Sequence, residues 1–324
     1  MLRAGYEEAK VLWRRQPIEQ LLRDSSLDAA TRAKLELVLA VRAFARDRLA
    51  LRVDRSYATF ARVDADQMVH VVTAAYRFRL EAYTWWFPIV GRVPYKGFFS
   101  ESAAHDEAAA LERKGYDTYV RPAVAFSTLG WFADPLVSPL LRYDAATLAN
   151  VIIHELLHNT AYVAGHAEFD ESFANFVGHR GAIAFFTERG DESARQRAAA
   201  AWDDALVFSD FLGRFTVQLR AAYTTGLTLD ERQRLFAQGK DDFRRLSLRT
   251  NMYSDFAAES LNNAVILQYL MYTDRLPLFD DVLQQEHGDL GRAITRVIDA
   301  VHHGGDDPFA AVQALVQQPA APEA

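Results

Sequence analysis

Residues 150–179 read NVIIHELLHNTAYVAGHAEFDESFANFVGH, with His154, Glu155 and His158 set inside an apolar run. Val151, Ile152, Ile153, Leu156 and Leu157 surround them, which implies burial, and a buried charge needs a partner. No Lys or Arg lies between residues 143 and 179 to supply one. On a helix, residues four apart stand one turn apart on the same face, so the two imidazoles can converge on a single ion. Neutral imidazole is a good zinc ligand, and this spacing suits a tetrahedral ion. Glu155 is rotated off that face, poorly placed to ligate but close enough to reach a water on the ion. This is the HExxH arrangement, in which the acid is the general base. The expectation is one Zn2+ per chain and hydrolysis of a peptide bond by a metal-activated water. Glu155 would take the water's proton and pass it to the leaving amine.

A catalytic zinc needs a third protein ligand and an open position. One common pattern places a His six residues after the second, but that position is Ala164. The helix is expected to begin after Asp144 as its cap and to end at Gly165. A second helix, from about Asp170 to Arg189, would run back past the first. Its first inward acid is Glu171, bracketed by Phe169, Phe173 and Phe176. Glu171 is the leading third ligand, with Glu168, Asp170 and His166 competing from the turn. Asn175, one turn on, can hydrogen-bond a ligating side chain from behind. His179 reads as structural, and His302 and His303, beside Gly304 and Gly305, as a helix-terminal loop.

These helices need a scaffold. The first fifty residues read as helix, with a capping segment at Ser26 to Asp28 and Leu35, Leu37, Leu39, Val41 and Phe44 near one side. MVHVVTAAYRF and AYTWWFPIVGRVPYKGFF, rich in aromatic and β-branched residues, read as extended. SESAAHDEAAALERKG is a helix capped by Ser100 and stopped at Gly115. YDTYVRPAVAF is a strand that Pro122 marks as an edge or a bulge. Residues 191–249 are helical with a turn near Thr224 to Leu229, and the last eighty residues are helical too. A small sheet followed by many helices predicts a helix-dominated α+β fold. Residues 1–190 would form the catalytic region and 191–324 a helical region completing or covering the cleft, as two domains or one continuous domain.

Composition narrows the function. A net charge of −7 and the lack of any basic cluster argue against nucleic acid as a partner. The absence of Cys excludes thiolate metal sites and Cys nucleophiles. No stretch is long and apolar enough to span a bilayer, so the expectation is a soluble chain without an integral membrane segment. Oligomeric state is left open.

Four stretches carry a wider resemblance: TWWFPIVGRVPYKGFF (84–99), AFSTLGWFADPLVS (125–138), IIHELLHNTAYV (152–163) and FDESFANFV (169–177), with a weaker echo in SLNNAVILQYLMY (260–272). Together with RRQPIEQLLRD near the start, they resemble the bacterial "predicted aminopeptidase" family of gluzincin-like zinc metalloproteins over nearly the whole chain. The resemblance implies a zincin-like fold, a small sheet over the HExxH helix, zinc ligands His154, His158 and Glu171, and Glu155 as base. It also implies a peptide substrate. Asp170 stands where the family usually has Asn. Family members often begin with a lipoprotein signal and its lipid-bearing Cys, which this sequence lacks. A periplasmic or envelope location is expected if an export segment has been removed, and a cytoplasmic one otherwise. No GxMEN-type segment, the holder of the substrate amine in gluzincin aminopeptidases, is present.

The oxyanion that develops opposite Glu155 needs a donor. Tyr95 and Tyr269 are the leading candidates, with Tyr253 and Tyr272 beside them, and each can also be read as a half-buried core aromatic. The strand around 117–126 could pair with an extended peptide, with STLGWFADP as a cleft wall. Asn262 and Asn263 could line the site or satisfy buried backbone. Two rivals stand beside the peptidase. One is a zincin-fold scaffold without turnover, and the other a zinc hydrolase of non-peptide amides.

Overall fold

The computed structural model describes residues 15–63, 69–87, 91–98, 100–123 and 134–317. In chain order their elements are β1 (Gln16–Pro17), α1 (Ile18–Leu21), α2 (Ala29–Arg48), β2 (Thr59–Ala61), β3 (Val69–Tyr76), β4 (Trp85–Phe87), β5 (Gly91–Val93), β6 (Tyr95–Phe98), α3 (Glu101–Glu112), β7 (Tyr116–Ala123) and β8 (Leu136–Val137). A 3-10 turn (Ser138–Arg142) leads into α4 (Ala145–His158), α5 (Ala167–Arg189), α6 (Glu192–Thr225) and α7 (Leu229–Arg244). The chain continues with α8 (Ser254–Ala258), α9 (Asn263–Thr273), α10 (Leu276–Gln285), α11 (Leu290–His303) and α12 (Pro308–Gln317). Helices dominate and the sheets are small, so the fold is α+β.

Short polar caps set several helix starts. Asp28 accepts from Thr31 N–H, Ser100 from Ala103 N–H and Asp144 from Thr147 N–H, each satisfying a donor that has no partner within its helix. Two helix boundaries differ from the expectation. α4 ends at His158 rather than Gly165, and α5 begins at Ala167, so Glu168 and Asp170 lie in its first turn rather than in a loop. The first fifty residues are not one helical run either: α1 and α2 are separated by turns.

The chain divides into two units, and both draw on residues from either side of position 190. Among the described residues, one comprises 69–123 and 203–274. Its antiparallel sheet has the order β6-β3-β7, with His70 opposite both Phe98 and Pro122. β7 is an edge strand, which is where Pro122 can be accommodated. Val72 and Ala74, two apart and so on one face, pack with Trp85 against Ala104, Ala108 and Leu111 of α3. Phe208 anchors an aromatic core with Phe211, Phe243, Phe256, Tyr253 and Tyr269.

The other unit comprises 15–63, 134–202 and 275–317 among the described residues. Its sheet has the order β1-β2-β8, antiparallel then parallel. α2 and α5 both pack on α4. The far side of α5 is fixed by a phenylalanine cluster. Phe279 of α10 is fully buried, with its ring centroid 5.3 Å from Phe173, 5.6 Å from Phe176 and 5.8 Å from Phe169. Arg180 of α5 is paired with Asp280 through two hydrogen bonds at 2.7 and 2.5 Å, and Trp202 Nε1 donates to the same carboxylate at 3.3 Å. These contacts bracket the helix that carries Glu171. Phe279→Ala should therefore lower unfolding free energy by about 3–5 kcal/mol, the cost of deleting a buried ring with partial collapse. Denaturant titration of the full chain measures it.

Candidate metal centre

α4 presents His154 and His158 one turn apart, and α5 lies alongside with Glu171 in its second turn. Their donor atoms meet. His154 Nε2 stands 3.2 Å from Glu171 Oε2 and 3.2 Å from His158 Nε2, and His158 Nε2 stands 3.6 Å from Glu171 Oε2. Among the described residues this trio is the group of His and acidic side chains that could hold a metal ion, all three ligand atoms lying within 4.8 Å of one another. A tetrahedral zinc with bonds near 2.0–2.1 Å separates its ligand atoms by roughly 3.3 Å. The residues fit the ion in donor type and in spacing.

The side chains are nearly enclosed, with exposures of 12% for His154, 4% for His158 and 16% for Glu171. Their electrostatics follow from that. Burial works against charge on His158, but the adjacent Glu171 carboxylate outweighs it and raises the imidazole to about 9. Burial also opposes charge on Glu171, yet His158 and His154 hold its carboxyl well below the usual range. A proton on His158 thus balances the Glu171 carboxylate at a point where a cation fits. Glu155 sits beside it on α4, and its buried Oε2 has no hydrogen-bond partner among the described residues.

The competitors for the third position are elsewhere. Glu168 is exposed in the first turn of α5, and His166 occupies the N-cap position. Asp170 is buried and its Oδ1 accepts from Val163 N–H at 2.9 Å, tying down the turn between the helices. Burial pushes its carboxyl up to about 7, so it stands close to the neutral amide that an Asn would provide. Asn175 lies one turn beyond Glu171 and is half-buried.

The tyrosines nominated from the sequence belong to the other unit. Tyr95 is paired opposite Thr73 on β6. Tyr269 packs edge-on to Phe208 and Phe256, and burial together with Asp255 and Glu259 pushes its hydroxyl up to about 12. Tyr253 is buried and stacks on Phe208 with ring centroids 4.0 Å apart, whereas Tyr272 is half-buried. Asn262 and Asn263 satisfy backbone: Asn262 Nδ2 donates to the Thr118 carbonyl at 3.0 Å, and Asn263 Nδ2 to the Tyr76 carbonyl at 2.8 Å. Of the segment read as a cleft wall, residues 127–133 lie outside the described residues, as do residues 124–126 of the edge strand.

Residues 1–304 match the family described as "Putative aminopeptidase". The chain belongs to this family. Comparison with curated proteins found no match, and neither did comparison with solved structures.

Two glycines explain how α4 and α5 come so close. A Cβ at Gly178 would lie 2.8 Å from the Asn150 carbonyl oxygen, closer still to Asn150 Oδ1, and 3.1 Å from His154 Cβ. A Cβ at Gly181 would meet the Ile153 side chain at 2.9 and 3.0 Å. Mid-helix glycine costs about 1 kcal/mol relative to alanine, and here it permits helix-to-helix contact. The glycines of FVGHRGA (176–182) are the trace of this contact in the sequence.

Two tests follow from this packing. Gly178→Ala should destabilise the fold by about 1–3 kcal/mol, because it presses on rigid backbone next to His154. It should also weaken zinc binding, measured by competition with a chromogenic chelator, at least tenfold. Gly181→Ala meets only side-chain ends and should weaken zinc binding much less. Nearby, His179 is buried against Trp202, with ring centroids 5.6 Å apart. Burial, then the neighbouring His154 and Arg180, depress it to about 3. The unfolded chain takes up a proton on this side chain near pH 6.5 and the folded one does not. Stability should therefore fall by about 1.4 kcal/mol per pH unit between pH 6.5 and 3 on account of this group. His179→Gln should make that decline shallower in denaturant titrations across the same range.

Proposed function

We propose that this chain is a zinc-dependent peptidase, an aminopeptidase by family, in which His154, His158 and Glu171 hold the ion. The observation that carries the reading is the convergence of two imidazole nitrogens and a carboxylate oxygen at 3.2–3.6 Å beside a buried acid. When bound, zinc would supply Lewis-acid polarisation and a lowered water pKa. The rest falls to the chain. Glu155 accepts a proton from the water whose oxygen attacks the peptide carbonyl carbon. It then delivers that proton to the amine nitrogen as the C–N bond breaks, so that it is base in the first half and acid in the second.

Glu155 also weighs against a scaffold without turnover. An unsatisfied buried polar atom costs roughly 1–3 kcal/mol, and a scaffold has no use that offsets it. No helix among the described residues is long and apolar enough to cross a membrane.

The test separates metal binding from chemistry. Purified protein should contain one zinc per chain by elemental analysis, and Glu171→Ala should lose most of it. Glu155→Gln should retain zinc while cleavage of a peptide library falls at least ~10²-fold, the loss expected for a positioned general base. Protein that neither carries nor takes up zinc would sink the reading. Full zinc occupancy without cleavage of any peptide would favour the scaffold instead.

A further inference from the structure

Between Leu49 and Tyr57 three non-glycine residues adopt left-handed backbone: Ala50 at φ 54°, Asp54 at φ 36° and Tyr57 at φ 58°. For a residue as bulky as tyrosine this conformation is disfavoured, and it persists only where surrounding contacts overdetermine it. Such contacts are dense here. Tyr57 N–H donates to the Asp134 carbonyl at 2.7 Å, and Arg42 donates to the carbonyls of Ser56 at 2.6 Å and Asp54 at 3.0 Å.

The same loop is fastened to the end of α4. Asn159 Nδ2 donates to Ser56 Oγ at 3.1 Å, Arg52 N–H donates to Thr160 Oγ1 at 2.9 Å, and Arg52 Nη2 reaches the Asn159 carbonyl. Asn159 follows Glu155 by four residues and so continues the same stripe of the helix. The bond from Ser56 to Asn159 therefore seats the loop on the stripe that carries Glu155, and the next residue is Tyr57. A negative φ there would send its Cβ in another direction.

The Tyr57 side chain is 1% exposed. Burial first, then the charges of Glu155 and Asp134, push its hydroxyl pKa well up, which keeps it a neutral donor. Glu155, for its part, has a buried oxygen without a partner among the described residues. We infer that Tyr57 is a positioning residue for Glu155, its hydroxyl setting the orientation of the carboxylate through a hydrogen bond bridged by one water. The kinetic consequence rests on the proposed peptidase reading; the pairing of the two side chains does not.

A double-mutant cycle on the full chain tests the pairing without any assay of activity. Unfolding equilibrium constants are measured for wild type, Tyr57→Phe, Glu155→Gln and the combination. Tyr57→Phe keeps the ring and its packing and removes only the hydroxyl. Its effect should differ about 5-fold between the wild-type and Glu155→Gln backgrounds, the size of one hydrogen bond. Strictly additive effects would overturn the inference. In parallel, Tyr57→Phe should keep full zinc content and KM while kcat falls about tenfold. An unchanged kcat alongside unchanged zinc would also overturn it. A wild type without peptidase activity would instead remove the proposed function, and the unfolding cycle would still decide whether Tyr57 and Glu155 are coupled.

Discussion

Everything at the candidate centre depends on how closely α4 and α5 approach. Two imidazoles four residues apart on one helix define only a line of donors; the third donor must come from another element at hydrogen-bonding range. Glu171 reaches that range because Gly178 and Gly181 remove the side chains that would otherwise hold the helices apart. Once the acid is there, its charge reverses the effect of burial on His158 and keeps that imidazole protonated to about pH 9. The folded chain thus assembles lone pairs that repel one another unless a proton or a cation lies among them.

Such an approach must be braced from both sides. On the outer side of α5, Phe279 meets Phe169, Phe173 and Phe176, and Arg180 is locked to Asp280. At the end of α4, Arg52 from a distant loop contacts the Asn159 carbonyl, placing a cation where the helix dipole is negative. Asp170 closes the turn between the helices through Val163 N–H. Packing, capping and turn chemistry therefore act on the same two elements, leaving the donors little freedom to drift from ligating range.

Much of this was legible in the sequence, for identifiable reasons. Spacing alone aligned His154 with His158, and the phenylalanines around Glu171 marked the inward face of α5. Asp28, Ser100 and Asp144 were readable as caps because N-cap chemistry is local. The end of α4 was not readable. The apolar pattern continues through Ala161 and Val163 towards Gly165, so local rules extend the helix, whereas the chain turns at His158. The turn is held by Arg52 and Asp170, partners brought from 107 and 7 residues away, and by Thr160 Oγ1 bonding the Leu156 carbonyl. Tyr57 was invisible for a related reason. Its importance lies in a left-handed backbone and in its neighbours, neither of which leaves a periodic trace.

The stretch from 143 to 179 raised the question of what could partner buried acids where no Lys or Arg is near. Its acids resolve differently. Asp144 caps a helix, and Glu168 is exposed at a helix N-terminus, where negative charge is favoured. Burial brings the Asp170 carboxyl up to about 7, which eases its protonation, while its Oδ1 takes a backbone donor. Glu171 is paired with two imidazoles. Glu155 has a buried Oε2 without a hydrogen-bond partner among the described residues, and its charge bears on the neighbouring His158. A group stabilised in one protonation state by tight partners resists changing state. The acid proposed to gain and lose a proton within one turnover thus keeps an open carboxylate oxygen, whose orientation Tyr57 is proposed to set.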